Sequence, residues 1–189
     1  MRKIIVNVAV TLDGFIEGPN GEIDWINHDA AAEMGEGSAF DQFLSGVDAV
    51  FYGRISYDLW GQYQPHSNAS AAEKSLWENV HSKKKYVFSN NPKEDGKASF
   101  ISSAIAERVN EIKQEPGKNI WLYGGGSLIT SFMNEGLVDA YQLAVYPVIL
   151  GAGKPLFSNI KKQINLGLKE ISTSASGVAF MNYERVAIS

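Results

Sequence analysis

The sequence predicts an α/β fold with a central mixed β-sheet, flanking helices and an antiparallel hairpin at its C-terminal end. Short apolar runs rich in Val, Ile, Phe and Tyr recur along the chain, and helix-like segments separate most of them. Most of these runs lack strict alternation, which is typical of strands covered on both faces. The predicted strands are residues 3–10, 49–52, 85–88, 98–101, 119–123 and 140–148.

Helical spacing of apolar residues marks the segments between the strands. Helices are predicted at residues 30–44, 56–60, 71–81, 104–114 and 128–135. In the fourth, apolar residues share one face, and Ser102 or Ser103 would cap the N-terminus. The fifth precedes Gly136, where a left-handed residue is expected.

The C-terminal end has the pattern of a hairpin. Residues 166–173 and 178–187 flank a Ser-Ala-Ser-Gly turn, in which Gly177 would supply the unusual dihedral angles. Strand–helix alternation followed by a hairpin implies a mixed sheet. Because no repeat or linker stands out, residues 1–189 are expected to form a single domain.

Composition narrows the class of protein. Hydrophobic residues make up 44% and charged residues 20%, as in ordered globular proteins, and a net charge of −4 gives no global attraction to nucleic acid. The absence of cysteine excludes disulfides, thiolate catalysis and cysteine-ligated zinc. No secretory leader pattern is present, and the later apolar run 143–150 is too short to span a membrane. The sequence therefore predicts a cytoplasmic protein without nucleic-acid or membrane partners.

Three consecutive glycines, from Gly124 to Gly126, stand between an apolar run and a predicted helix. A glycine turn before a helix could cradle a pyrophosphate on unpaired amides, or could serve only as a tight turn. The Rossmann fingerprint fails, because Ile129 occupies the position of its third glycine. A P-loop fails too, because Val148 occupies the position of its first glycine. An anion site of another type remains open beside the plain turn.

Two further strand ends carry polar groups. After run 49–52, Arg54 and Ser56 could hold a phosphate by charge-assisted hydrogen bonds, although an exposed arginine and a helix-capping serine are a simpler explanation. Run 85–88 ends in Ser89. Ligands of open α/β sheets bind at the carboxyl ends of strands, so we expect these ends and the glycines to converge on one groove.

Five motifs in order carry a resemblance to a known family. They are VAVTLDGFI at 8–16, GRISY at 53–57, WLYGGG at 121–126, GLVD at 136–139 and YPVILGAGKPLF at 146–157. With them the chain resembles the dihydrofolate-reductase-like superfamily and, within it, the reductase (C-terminal) domain of the bacterial bifunctional riboflavin-biosynthesis protein RibD. The resemblance covers nearly the whole chain. It implies a dihydrofolate-reductase-like three-layer fold, NADPH as hydride donor and frequent homodimers.

The resemblance also implies a set of cofactor-binding residues. Residues 125–128 would meet the pyrophosphate, and Arg54 and Ser56 would lie near the adenosine 2′-phosphate, which favours NADPH over NADH. Ser89 would flank the adenine end, and residues 8–9 with the loop 12–14 would lie beside the nicotinamide. The full set is Val8, Ala9, Leu12, Gly53, Arg54, Ser56, Ser89, Gly124, Gly125, Gly126, Ser127 and Leu128.

Departures from the family pattern bear mainly on the substrate. The family usually has threonine where Ser56 stands, and serine keeps the hydroxyl. The sequence contains no deaminase domain, no zinc motif and no basic cluster for a second, substrate ribose phosphate. Its histidines are widely spaced, so no metal site is predicted. The fold and cofactor site can be inherited while the substrate differs.

Hydride transfer also requires a proton. Asp13 is the first candidate donor, because the resemblance places its loop beside the nicotinamide, and Asp24 is the second; water is the alternative to both. Asp13 could instead serve only as a turn residue before Gly14. Trp25 could cover a planar substrate or be simply a packed aromatic.

The leading hypothesis is an NADPH-dependent reductase acting on a small heterocyclic or carbonyl- or imine-bearing metabolite. Reduction of a pyrimidine ribose, as in riboflavin synthesis, is one option, and pteridine or folate reduction is another. The competing hypothesis is a sensor or interaction protein that binds NADP(H) on the same fold without turnover.

Overall fold

The computed structural model describes residues 1–26, 38–91 and 95–186. Its strands are β1 Ile4–Thr11, β2 Phe15–Glu17, β3 Val47–Gly53, β4 Lys84–Phe88, β5 Ser99–Ile101, β6 Asn119–Gly124, β7 Ala140–Tyr146, β8 Lys154–Pro155, β9 Leu166–Thr173 and β10 Ala179–Arg185. Its helices are α1 Ala39–Ser45, α2 Arg54–Ser56, α3 Ala71–His81, α4 Ile105–Gln114 and α5 Gly126–Asn134, and α2 continues into a π-helical turn at Tyr57–Gly61.

One large sheet organises the described residues, with strand order β5-β4-β3-β6-β1-β7-β10-β9. The pairs from β5 to β7 are parallel, whereas β10 runs antiparallel to both β7 and β9. Gly177, in the turn between β9 and β10, has a φ of 87°. The predicted mixed sheet with a C-terminal hairpin is therefore confirmed.

Apolar clusters cover both faces of the sheet. On one face, Phe51, Phe88 and Phe132 pack edge to face at 5.1–5.9 Å between the strands and helices α4 and α5. On the other face, Phe43 of α1 packs against Trp121 of β6 at 5.6 Å, and α3 joins the same cluster. Phe51 and its neighbour Tyr52 belong to opposite clusters, because successive strand residues point to opposite faces. The result is three layers.

Several boundaries differ from the sequence prediction. The predicted helix 30–44 is seen as α1 from Ala39, and its residues 30–37 lie outside the described ranges. The predicted serine cap of α4 is wrong: Ala104 holds the N-cap position with a left-handed φ of 48° and makes no side-chain cap bond. Gly136, by contrast, has the expected positive φ, 67°.

Strands β2 and β8 pair antiparallel in a small separate sheet that the sequence pattern did not predict. They are three and two residues long, too short to show a period. This small sheet brings the loop after β1 against the loop after β7. Among the helices of the described ranges, none has the length and apolar character needed to cross a membrane.

Candidate functional site

Three of the predicted site segments meet at one edge of the sheet. Strand β3 lies between β4 and β6, with Gly53 opposite Phe88 and Tyr52 opposite Gly124. Because these strands are parallel, the segments that follow them, including Ser89, emerge side by side. The expected convergence of the strand ends is therefore present in the fold.

Glycines allow the ends of β3 and β6 to approach closely. A Cβ atom on Gly53 would lie 3.4 Å from the Gly124 carbonyl oxygen, and one on Gly124, whose φ is 100°, would lie 2.9 Å from Ile129 Cδ1. A Cβ atom on Gly125 would lie 3.3 Å from Ser56 Oγ. The Gly124–Gly125 peptide bond is cis, and helix α5 begins at the next residue. The Ser56 hydroxyl therefore stands directly beside the backbone that leads into α5.

The guanidinium group of Arg54 brings several N–H donors to this edge of the sheet. Its Nε donates to Asp58 Oδ2 at 2.7 Å, and its guanidinium lies over the Phe100 ring, 5.6 Å from the ring centroid. Its Nη1 is buried and makes no hydrogen bond within the part of the chain that is described. Buried donors are normally paired, so this nitrogen indicates a position where an acceptor belongs.

The other predicted cofactor residues have varied positions. Val8 and Ala9 line a groove on the sheet, whereas Leu12 is exposed and donates its amide to the Val148 carbonyl at 2.9 Å. Ser89 forms a local turn, in which its hydroxyl accepts from the Asn91 amide at 3.1 Å. Ser127 and Leu128 lie in the first turn of α5. Their assignment to a cofactor stays a prediction.

Asp13 is held by three donors. Thr11 Oγ1 donates to it at 2.6 Å, and the amides of Gly151 and Leu150 donate to Oδ2 at 2.8 and 3.1 Å. The Thr11 hydroxyl has the largest effect on the pKa of Asp13 and lowers it below its ordinary value of 3.8, and the two amides act in the same direction against partial desolvation. A carboxylate with a lowered pKa is a poor proton donor, so the geometry favours a positioning role for Asp13 between two loops.

Asp13→Asn is expected to lower the thermal midpoint at pH 7, and by progressively less as the pH falls below the ordinary carboxyl pKa. A carboxyl whose pKa is depressed on folding stabilises the protein above its unfolded-state pKa and loses that effect as pH falls through the folded-state value. The gap between wild type and variant should therefore close from about pH 5 downward. Thermal melts across this range measure it, and a gap independent of pH would contradict the assignment.

Asp24 and Trp25 occupy different environments. Asp24 is exposed, whereas Trp25 is buried and meets Tyr146 edge to face at 5.4 Å. Trp25, Tyr146 and Val178 form a cluster that packs on Ala9 and other residues at the end of the sheet. Trp25 is thus a packed aromatic at the border of the groove, although its indole Nε1 is buried without a partner in the described structure.

The edge of the sheet where Gly53, Gly124 and Gly125 meet is called the glycine edge. A groove of about 670 Å³ runs across the sheet from it. This size suits a small-molecule site. Ser56 and Gly125 lie in its lining, Trp60 belongs to one wall, and Ala9 and Ala144 form part of its floor. The groove therefore connects the candidate phosphate position with the open centre of the sheet.

Four polar side chains cross the floor of this groove, and we call them the polar row: Asn7, Gln142, Asn182 and Glu170. They lie opposite one another on β1, β7, β10 and β9, so they point to the same face. Asn7 Nδ2 donates to Gln142 Oε1 at 3.0 Å, and Asn182 Nδ2 donates to Glu170 Oε2 at 3.1 Å. All four line the groove.

Sequence reasoning did not assign the polar row to a site. Its signal was available in part, because Asn7 and Gln142 each interrupt an otherwise apolar strand. The strand order that brings them together was not visible in the sequence. Trp60, Tyr123 and Glu17, which also line the groove, were missed for the same reason.

Comparisons with known proteins agree with this architecture. The chain is 54% identical over 183 residues to the uncharacterized protein YyaP of Bacillus subtilis (strain 168), covering 96% of this chain and 94% of YyaP. A crystal structure of a putative riboflavin biosynthesis protein from Shewanella sp. PV-4 matches with a TM-score of 0.76 at 21% identity, covering 98% and 99% of the two chains. Dihydrofolate reductase from Enterococcus faecalis, complexed with NADP(H) and RAB-propyl, matches with a TM-score of 0.64 at 13% identity, covering 97% and 96%.

These structural matches, at low identity, establish the dihydrofolate-reductase-like fold. The profile of the RibD C-terminal domain matches residues 2–180, nearly the whole chain. This match confirms the family that the five sequence motifs indicated. The protein therefore belongs to the RibD C-terminal domain family, whose structural neighbours are reductases.

Proposed function

We propose that the protein is an NADPH-dependent reductase that transfers a hydride to a small heterocyclic or carbonyl- or imine-bearing metabolite. The observation that carries this proposal is Arg54 Nη1, just after the end of β3, which is buried and makes no hydrogen bond within the described residues. Membership of a reductase family supports the class of reaction, and the NADP(H) complex of a dihydrofolate reductase with the same fold supports the choice of cofactor.

The residues at the glycine edge fit a dinucleotide phosphate. Arg54 would donate from Nη1 to the adenosine 2′-phosphate, and Ser56 would add its hydroxyl. The glycines leave room for a pyrophosphate at the first amides of the nine-residue helix α5, where the helix dipole favours negative charge. NADPH, when bound, supplies the hydride.

The sheet floor would position the hydride acceptor. Ala9 and Ala144 are small and lie opposite each other on β1 and β7, so they leave space above the sheet. Trp25 and Tyr146 close the end of this space and would limit the access of water. Asp13 would hold the loops beside it, and the proton would come from water instead of from Asp13.

Titration with NADPH tests the proposal first. We expect quenching or enhancement of nicotinamide fluorescence and a higher melting temperature at micromolar to millimolar NADPH. Gly125→Val is expected to weaken NADPH binding by about tenfold or more, because the added side chain takes the space that a phosphate needs beside Ser56. Ala175→Val, which adds bulk in the exposed hairpin turn, is the matched control and should bind like wild type.

The absence of any NADPH response at millimolar concentration would refute cofactor binding altogether. If NADPH binds, a panel of carbonyl, pterin and pyrimidine compounds tests turnover through loss of nicotinamide absorbance. Binding without turnover would favour the alternative of a non-catalytic NADP(H) sensor on the same fold. The Asp13→Asn variant should keep most of the turnover. A loss of turnover without a change in NADPH affinity would instead indicate that Asp13 is the proton donor. The homodimeric state and the cytoplasmic location stay predictions.

A further inference from the structure

We propose that the polar row selects a planar nitrogen heterocycle that carries no phosphate group and is neutral or cationic. This inference rests on the proposed function, because it names the class of hydride acceptor for the same groove. It assigns substrate recognition to Asn7, Gln142, Asn182 and Glu170, on four neighbouring strands.

The hydrogen-bonding capacity of the polar row exceeds what its internal bonds use. Each amide side chain has two N–H donors and an acceptor oxygen, and a carboxylate accepts several bonds. The Asn7–Gln142 and Asn182–Glu170 bonds use one donor and one acceptor per pair. The row therefore keeps both donors and acceptors available, and the edge of a nitrogen heterocycle likewise offers both.

The charge of the groove argues against a phosphorylated substrate. Among the lining residues that are described, the charged side chains are Glu17 and Glu170, and lysine and arginine do not occur. Glu17 pairs with Lys154 at 2.8 Å at the surface, whereas Glu170 accepts a hydrogen bond from Asn182 within the row. The Glu170 carboxylate would therefore repel a substrate phosphate placed on the row.

Arg54 is too remote to hold a substrate phosphate as well as a cofactor phosphate. It follows β3, whereas Asn182 lies on β10, four strand spacings away across β6, β1 and β7. Neighbouring strands are about 4.8 Å apart, so the two positions are separated by roughly 19 Å. A single-ring substrate on the polar row cannot bridge that distance.

The floor beside the row favours a flat ligand. Ala9 and Ala144 lie two residues along their strands from Asn7 and Gln142, on the same face, and Phe180 continues this line on β10. Two methyl groups and one aromatic ring make a shallow apolar shelf next to the polar row. A planar ring can lie on the shelf with its edge toward the row.

Paired ligands that differ by one phosphate test the inference. Cytidine, uridine and riboflavin, each compared with its 5′-phosphate, would be titrated by calorimetry into protein saturated with NADP⁺, so that the phosphates cannot enter the cofactor site. We expect at least one unphosphorylated member to bind about tenfold more tightly than its phosphate, because the carboxylates repel the dianion.

Variants of the row sharpen the test. Gln142→Leu is expected to weaken the preferred ligand about tenfold without changing NADP⁺ affinity, because the row loses its central amide. Glu170→Lys, on the exposed edge strand β9, should shift the preference toward the phosphorylated member of each pair. Glu107→Lys, an equally exposed change on α4 across the sheet, is the matched control and should leave the preference unaltered.

Tighter binding of the phosphorylated member by the unaltered protein would overturn the inference. Failure of every pair to bind, in protein that binds NADP⁺, would also overturn it and would leave the proposed function standing. Failure of NADP⁺ itself to bind would instead refute the proposed function. The outcomes are therefore distinguishable.

Discussion

Arg54→Ala is expected to weaken NADPH binding by about 5- to 150-fold and to leave NADH binding nearly unchanged, a difference equivalent to roughly 1–3 kcal/mol. The reason is that Arg54 Nη1 is buried and has no hydrogen-bond partner among the described residues, and the 2′-phosphate present only in NADPH would pair with it. Fluorescence titration of both cofactors measures the effect. An equal loss for the two cofactors would refute the assignment of Arg54 to the 2′-phosphate.

Two neighbouring variants control this experiment. Asp58→Asn removes the carboxylate that accepts from Arg54 Nε and should keep or strengthen NADPH binding, because a competing negative charge is lost. Arg54→Lys keeps the charge but loses the planar donor array, so its affinity for NADPH should lie between those of wild type and Arg54→Ala. Equal losses of NADPH and NADH affinity in both Arg54 variants would indicate that Arg54 acts through its packing on Phe100 instead.

Asp139→Ala is expected to lower the free energy of unfolding by about 2–4 kcal/mol, somewhat less than for a fully buried ion pair because the Asp139 side chain is 32% exposed. Asp139 Oδ2 accepts from Lys113 Nζ and from the Ile4 amide, each at 2.7 Å. The Lys113 side chain is only 7% exposed, so the variant would leave its charge buried and unpaired. Urea denaturation measures the change.

A double variant separates the ion pair from the packing around it. Lys113→Met combined with Asp139→Ala should recover part of the loss, because the unpaired charge is then absent. Glu111→Ala, which breaks the exposed pair with Arg108, should cost no more than about 1 kcal/mol. A double variant less stable than Asp139→Ala alone would show that Lys113 contributes mainly through its aliphatic stem.

Local patterns in the chain sufficed for much of the fold. The apolar runs around Val50, Val87 and Leu122 became buried parallel strands, and the hairpin followed from the turn at Gly177. These signals are local, because burial on both faces and an unusual φ each leave a mark within a few residues. The short strands β2 and β8 left no such mark, since they pair across a long stretch of sequence. Ala104 left none because alanine has no polar side chain to signal a helix cap.

The candidate site, like the fold, combines features that local sequence patterns predict with features that depend on long-range contacts. The glycine triplet and the pair of Arg54 and Ser56 stood out because glycines before a helix, and a cation after a strand, are local features. Their distance from each other was not visible, and only the pairing of β3 with β6 puts the Ser56 hydroxyl beside Gly125. The sequence offered Asp13 as a candidate proton donor, and only the fold shows its hydrogen bonds with Thr11 and Gly151, which connect two loops.

The sequence by itself therefore determined the α/β class, the C-terminal hairpin and the family, because short-range periodicity and ordered motifs encode them. Tertiary structure alone decided the polar row, whose members Asn7, Gln142, Asn182 and Glu170 are separated by up to 175 residues and meet through strand register. It also decided that Arg54 Nη1 is buried and makes no hydrogen bond to any residue in the described ranges. Register and the pairing of buried groups are long-range properties, since they depend on which strands become neighbours and not on the order of residues within any one strand.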